Sequence, residues 1–367
     1  MKKLMPLAAL ALLSSLAAAP AVLAQASAAQ AAGKTKPSPL APSEIVAAAP
    51  KGDWTAIPAS DLLVMELAPD AKGRPRRVVI QLMPPPFSQG WIGNIRKLAA
   101  AHWWDGMSVN RVQDNYVVQW GDPNADDKAK AKALPAGLLV VPETAYGTAY
   151  EPTMFETKWS YGRRPATEAM VQEPAPPGPP AKFGDAYLDR YSFSAGFPVG
   201  YSEKQTSKPD KRFDPKLNYF VTSTSPDKVW PVHCYGMVGV GRDLSPNTGS
   251  GAELYVVIGH APRHLDRNIA LVGRVIEGME YLSSLPRGHG ALGFVDPAQG
   301  DEPVPIQSIH PGIEVKDLPA FEYLSTESAS FAKYADARAN RRDAFFIRPA
   351  GGADVCNIPV PVRRVKD

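Results

Sequence analysis

Short apolar runs, some alternating with polar residues and most bounded by Pro, Gly or Asp, recur along this chain in the manner of β-strands. Leu62-Leu-Val-Met-Glu-Leu67 and Val78-Val-Ile-Gln-Leu82 form the first pair, joined by the turn-prone Pro69-Asp-Ala-Lys-Gly-Arg-Pro75. Past Pro84-Pro-Pro86 the apolar spacing lengthens to that of a helix of about 14 residues, with Trp91, Ile92, Ile95, Leu98 and Ala99 on one face. Met107 to Gln119 returns to strand. Tyr219-Phe-Val-Thr-Ser223, Gly236-Met-Val-Gly-Val240 and Leu254 to Ile258 are further strands. Glu277 to Leu285 predicts a second helix and Pro305 to Val315 a closing strand. A C-terminal helix is expected from Ser325 as N-cap, ending near Arg338, Arg341 and Arg342, cations that suit a helix C-terminus. No internal repeat is visible. Many strands and two helices in this order suit a closed antiparallel barrel with a helix at each end.

Between these elements the pattern lapses. Asp122 to Pro180 holds a Lys/Ala run (Asp126 to Ala133) and the tract Glu173-Pro-Ala-Pro-Pro-Gly-Pro-Pro180, which fits neither a helix nor a central strand. Long surface loops with a short helix among them are predicted there. Ser192-Phe-Ser-Ala-Gly196 lacks the second glycine and the setting of a nucleophile elbow and reads as loop. Gly288-His-Gly290 reads as a turn without phosphate-loop spacing. Trp103 and Trp104 read as barrel or cap packing, with the exposure of one of them left open.

A length of 367 residues allows one large domain or two ordinary ones. Hydrophobic content of 44% and charged content of 21% fit a folded chain with a substantial core. The 38 prolines are about twice the usual share and require much loop, turn or extended chain. A net charge of +3, without a Lys/Arg stripe, gives no nucleic-acid footprint.

Lys2-Lys3, the apolar stretch Leu4 to Leu16 and the small-residue site Val22-Leu23-Ala24 have the three-part layout of an export signal. Residues 1–24 are read as a signal peptide cut after Ala24, with Ala26 and Ala28 as alternatives. Pro6 and Pro20 break the apolar run, no cysteine follows it to carry a lipid, and nothing later approaches roughly 18 continuous apolar residues. The sequence thus predicts an exported, periplasmic protein with no stable membrane insertion after cleavage. Residues 25–52, rich in Ala, Pro, Ser and Lys, are predicted to be a flexible spacer. Cys234 and Cys356 are the only cysteines. In an oxidising compartment they form one disulfide tying the tail to the core, or else remain two thiols with at least one buried.

Two distant stretches carry the chemistry. Met107 to Asp122 contains Arg111, then Tyr116 five residues on, then Gln119 and Gly121-Asp122. Glu253 to Met279 contains a strand, the Leu265-Asp266 turn and the run Val272-Gly-Arg-Val-Ile-Glu-Gly-Met279. Taken together and in this order, they resemble the two halves of a cyclophilin active site. The resemblance covers Leu62 to Gly121 and Cys234 to about Leu285, with Pro305 to Val315 as a last strand. It implies a mainly β fold: a closed eight-stranded antiparallel cyclophilin-like barrel capped by two helices, over residues 53–316. Residues 123–233 become a long loop-rich insertion and 317–367 a C-terminal helical extension.

The resemblance also implies a peptidyl-prolyl cis-trans isomerase. Rotation about an X–Pro bond faces a barrier of about 20 kcal/mol because amide resonance must be broken. Lowering it takes no nucleophile, base, metal or cofactor. An apolar slot for the ring, a cation that favours the pyramidal nitrogen and hydrogen bonds to the carbonyl suffice. By resemblance Arg111 is the catalytic cation, suited by its permanent charge and fixed fork of donors, and Gln119 orients it or the substrate carbonyl. Tyr116 lines the proline pocket, with Val117 beside it where the family usually has Met.

The second half departs further from the family pattern. Leu254 and Tyr255 match an apolar–aromatic pair. Glu253 stands where glutamine is usual, and His264, followed by Leu265, stands where a bulky aromatic flanks the pocket. Ile269 replaces a substrate-bonding histidine and Val272 a phenylalanine of the pocket floor. Arg242 takes the place of a backbone-contacting asparagine, and Asn110 that of the histidine before the catalytic arginine. A looser slot and weakened catalysis follow. The leading expectation is an isomerase acting on proline-containing unfolded or extended segments of exported proteins. The alternatives are a catalytically weak proline-peptide-binding chaperone or scaffold, and an interaction protein working through residues 123–233 or the C-terminal helix. Pro262 between His260 and His264 prevents the helix that would aim both at one metal, so no metal site is predicted.

Overall fold

The computed structural model describes residues 39–125, 127–151, 161–162, 187–205, 213–214, 219–220, 224–348 and 351–365. The expected signal peptide, residues 25–38 of the expected spacer, Asp126 and the proline tract 173–180 lie outside the described residues.

Eight strands make the barrel: β1 Leu62–Leu67, β2 Arg76–Leu82, β3 Ser108–Val112, β4 Val117–Gly121, β5 Met237–Val240, β6 Leu254–Val257, β7 Leu271–Glu277 and β8 Val304–Pro311. They close in the order β5-β6-β4-β3-β8-β1-β2-β7, with β7 returning to β5, and every pairing is antiparallel. The period-two rule sorts their side chains. Leu63, Met65 and Leu67 of β1, Val78, Ile80 and Leu82 of β2, Val118 and Trp120 of β4, and Leu254 and Val256 of β6 belong to the main core. Leu62 and Val79 point the other way and are covered by Ile57 and Phe321. That second cover is why β1 reads as an almost continuous apolar run.

The four α-helices among the described residues are α1 Pro42–Ala47, α2 Gln89–Ala100, α3 Met279–Ser283 and α4 Ala329–Ala339. Helix α2 buries the predicted face together with Asn94, whose amide donates to Leu139 O (2.8 Å) and Ser250 O (2.9 Å) and accepts from Leu139 N (2.7 Å). Helix α2 packs on β7 and β8, and α3 on β2. Trp103 and Trp104 are both buried, with their indole N–H groups bonded to Ala133 O and Ala252 O.

Several boundaries differ from those predicted. Met107 to Gln119 is a hairpin, because Asn115 turns through φ 51° between β3 and β4. Strand β7 runs to Glu277 and Gly278 (φ 83°) starts α3, leaving a shorter second helix. The N-cap of α4 is Ser328, whose Oγ accepts from Phe331 N at 3.0 Å, in place of Ser325. Tyr219 and Phe220 pair with Phe213 and Asp214, outside the barrel, and residues 221–223 of that predicted strand lie outside the described residues.

The largest correction is the insertion. Expected to be loop-rich, it holds among its described residues a five-stranded sheet in the order 148–149, 224–231, 197–205, 190–194, 161–162. Phe193, Phe197, Val199, Tyr201, Val229 and Trp230 of this sheet are buried. Ser192–Gly196, read as loop, is strand followed by a tight turn in which Ala195 (φ 46°) and Gly196 (φ 86°) both take positive φ, the requirement of a two-residue hairpin. Pro198, Pro226 and Pro231 lie within these strands and hid them.

The ends of the chain are also corrected. Helix α1 falls inside the expected spacer and packs on α4. Trp54–Ile57 pairs with Phe321–Leu324, which pairs with Val362–Arg364, so the C-terminal extension is a sheet as well as a helix. Buried Arg274 of β7 joins three parts of the fold. Its Nε donates to Gln81 Oε1 (3.0 Å), one terminal nitrogen donates to Gly196 O (2.7 Å), and the guanidinium lies over the rings of Phe197 and Tyr323. Burial depresses its pKa to about 10, which leaves it cationic at neutral pH. No described helix is long and apolar enough to cross a membrane.

Cys234 and Cys356, 122 residues apart, are joined by a disulfide. In the chain-entropy model so long a loop stabilises by roughly 4–5 kcal/mol. Cys356→Ser is expected to lower the free energy of unfolding in urea by roughly 2–5 kcal/mol; an unchanged midpoint would count against it.

Candidate active site

The site starts from a bulge. Val109 pairs with Trp120 and Arg111 with Gln119, so Asn110 is an extra residue in β3. Such an insertion bends a strand and re-aims its side chains. Arg111 therefore lies beside Gln119 while Val109 and Val112 stay in the core. Its Nε donates to Leu292 O (2.7 Å), one terminal nitrogen donates to Gln119 Oε1 (3.4 Å), and the other bonds the Gln113 carboxamide oxygen. The guanidinium sits 5.6 Å from the centre of the Tyr116 ring and 5.3 Å from that of Phe294. Desolvation lowers the Arg111 pKa, opposed by Tyr116; the group remains a cation at neutral pH, held half out of water. Gln119 passes the contact on, its Nε2 donating to Glu253 Oε2 at 2.7 Å.

Strand β4 pairs with β6 in the register Gln119↔Tyr255 and Val117↔Val257. Val117, Tyr255 and Val257 thereby form a separate apolar patch on the side of the sheet away from the core, with Tyr116 and Ile269 packed against it. Gly239 leaves room for the Tyr255 phenol, since a methyl at that position would come within 2.3 Å of it. His264 is exposed and stacks its ring parallel to Tyr116, 6.5 Å centre to centre.

Under the patch runs a buried polar chain. Tyr255 Oη and His233 Nε2 are 2.9 Å apart, and His233 Nδ1 lies 2.8 Å from Asp266 Oδ1. The same oxygen accepts from His233 N, and Arg263 Nε donates to Asp266 Oδ2 at 2.8 Å. Arg263 continues to Asp354 Oδ2 at 3.2 Å, in the C-terminal tail beside the disulfide. Burial raises the Tyr255 phenol well above its ordinary range, so it stays protonated. A neutral His233 with its proton on Nδ1 then donates to Asp266 and accepts from Tyr255, which satisfies Tyr255, His233 and Asp266 together.

The structure brings Arg111, Tyr116, Val117, Gln119, Glu253, Tyr255, His264 and Ile269 to one face. Leu265 lies in the 3-10 turn Arg263–Leu265 beside them. Arg242 bonds the backbone oxygens of Asn268 (2.9 Å) and Asp243 (2.7 Å), tying its loop to that turn. Two expected pocket residues face elsewhere. Leu254 and Val272 belong to the main barrel core, because a period of two sends Leu254 inward when Tyr255 faces out. His233, Asp266, Arg263, Gln113, Leu292 and Phe294 were missed as site residues. The Leu265-Asp266 turn was the one available signal among them; the exposed loop bearing Leu292 and Phe294 has no pattern that betrays it.

Residues 164–310 match the family model described as cyclophilin type peptidyl-prolyl cis-trans isomerase. That segment is thus similar to a cyclophilin-type peptidyl-prolyl isomerase domain, and the barrel has the cyclophilin fold. Arg111 and Gln119 precede the matched residues. The structure is similar to that of cyclophilin AquaCyp293 from Hirschia baltica at 20% identity and a TM-score of 0.53, over 86% of this chain and 95% of that one. A cyclophilin type isomerase of Cryptosporidium parvum, crystallised in the presence of the dipeptide Ala-Pro, matches at 10% identity and a TM-score of 0.32, over 68% of this chain and 98% of that one. No curated protein sequence matches the chain.

Burial holds the His233 imidazole below the ordinary value of 6.5, against the opposing pull of Asp266. Below that value the unfolded chain binds a proton that the folded chain refuses. The contribution of His233 is therefore whole above about pH 6.5 and is lost as the pH falls beneath it, by up to about 1.4 kcal/mol per pH unit. Urea unfolding between about pH 7.5 and 5.5 should show this loss, and His233→Gln should flatten it relative to wild type. Parallel pH curves for the two proteins would refute the assignment.

Proposed function

We propose that this protein is an exported prolyl isomerase in which Arg111 stabilises the twisted amide of a proline-containing segment. The observation that carries this is the half-buried guanidinium, oriented by Gln119 and Leu292 O at the edge of the Tyr116–Val117–Tyr255–Ile269 patch. Three of its five N–H donors are bonded by described residues, which leaves donors for a substrate. The patch receives the proline ring. The cation favours the pyramidal nitrogen as its lone pair localises, and the partly desolvated setting strengthens that attraction. No covalent intermediate arises. Substrates are extended or unfolded segments of periplasmic proteins, reached after the signal peptide is cut near Ala24.

A second reading is favoured by Glu253, whose carboxylate takes one of the two Gln119 amide hydrogens and so competes with a substrate carbonyl for that amide. On that reading the site grips proline segments as a chaperone or scaffold with little turnover.

Exchange NMR on a short Ala-Pro peptide separates the two. Wild type is expected to accelerate exchange, Arg111→Ala to lose roughly 10²–10³-fold and Arg111→Lys to keep part of the effect. Peptide binding without acceleration would replace catalysis with binding. The intact mass of the protein recovered from the periplasm should correspond to a chain starting at Gln25; a mass retaining residues 1–24 would refute export with cleavage.

A further inference from the structure

Away from the candidate isomerase site, three metal-binding side chains converge where β8 ends. His102 lies in the turn after α2, His310 near the end of β8, and Glu314 in the 3-10 turn Gly312–Glu314. One ligand atom from each can be chosen so that all lie within 4.8 Å of one another. His102 Nε2 is 2.9 Å from Glu314 Oε2, and the two imidazoles stack 4.0 Å apart. His310 Nε2 is 2.9 Å from Asp105 Oδ2, while Asp105 Oδ1 accepts from Ile309 N at 3.3 Å. His102 holds this place from a left-handed backbone conformation, φ 50°, which is uncommon outside glycine and points to a local constraint.

We propose that His102, His310 and Glu314 bind one divalent transition-metal ion of the zinc class, with Asp105 supporting His310. Imidazole and carboxylate together are the donor set of a borderline ion such as zinc, and three protein ligands leave a position for water. A carboxylate behind a ligating histidine, itself held by a backbone N–H, fixes the ring and raises its basicity. With the imidazoles neutral, as metal binding requires, the four side chains carry two negative charges, the complement of a dication. The competing account is two ordinary histidine–carboxylate pairs, which bind no ion. The proposal is independent of the isomerase activity, since it uses none of the residues around Arg111.

The test is calorimetric titration of the untagged, disulfide-bonded protein with Zn²⁺, alongside Co²⁺ titration followed by visible absorption. One saturable equivalent, cobalt bands of a four- or five-coordinate site and an unfolding midpoint that rises with zinc are expected, because the ion ties three segments of the folded chain together. His102→Asn keeps a residue that tolerates positive φ, and Glu314→Gln changes an exposed side chain without removing bulk. Each is expected to weaken binding at least about tenfold, as is Asp105→Asn, while His264→Ala leaves it unchanged. Absence of saturable binding to wild type, or equal binding by His102→Asn and Glu314→Gln, would overturn the site.

Discussion

The antiparallel seam between β4 and β6 is the constraint on which this site rests. It places Gln119 beside Tyr255 and within reach of Glu253, 134 residues further along the chain. A sheet has a side-chain period of two, so a slip of one residue would push Val117, Gln119, Tyr255 and Val257 into the barrel and expel Trp120, Leu254 and Val256. Trp120 is fully buried, and expelling it would forfeit several kcal/mol of apolar burial. Core packing thus fixes the register, and the register assembles the candidate pocket on the opposite face. The bulge at Asn110 does the same for Arg111, by letting β3 keep Val109 and Val112 inside while the arginine turns toward Gln119.

Three arginines divide the labour of the fold. Arg111 is half-buried and retains donors for a partner. Arg274 is buried and uses two of its nitrogens and both ring contacts to join β7, the insertion hairpin and Tyr323. Arg263 is buried against Asp266 and reaches Asp354. Through Asp266, His233 and Tyr255, that last arginine links the floor of the pocket to the C-terminal tail, next to Cys234–Cys356. The polar chain is held because Tyr255, His233 and Asp266 each meet a partner within it; removing one would leave the rest desolvated and unmet. The tail therefore takes part in holding the pocket in shape, although it contributes no residue to the patch itself.

Much of the barrel was legible because its strands and its first helix carry strong local patterns. The apolar runs 62–67, 78–82, 236–240 and 254–258, and the helical face Trp91–Ala99, all reappear as predicted within a few residues. The insertion sheet was not legible, since prolines within its strands break the alternation and its strands find partners only across long gaps. Leu254 and Val272 were placed in the pocket because spacing names a position in a motif but not the side of the sheet it faces. The histidine cluster at the end of β8 was invisible for a different reason: His102 and Glu314 are 212 residues apart and share no motif.

What the amino-acid order settled was local and additive: which runs extend, which coil, and how Arg111, Tyr116 and Gln119 are spaced along the chain. These follow from steric and burial preferences acting over a few residues. What awaited the folded chain was everything set by closure of the barrel and the packing around it. The facing of each strand, the pairing of Gln119 with Glu253, the chain from Tyr255 to Asp354, the loop that brings Leu292 and Phe294 to Arg111 and the meeting of His102 with His310 are all long-range. Each depends on a single global arrangement that buries the most apolar surface while leaving the fewest polar groups unpaired, and no window of sequence contains that sum.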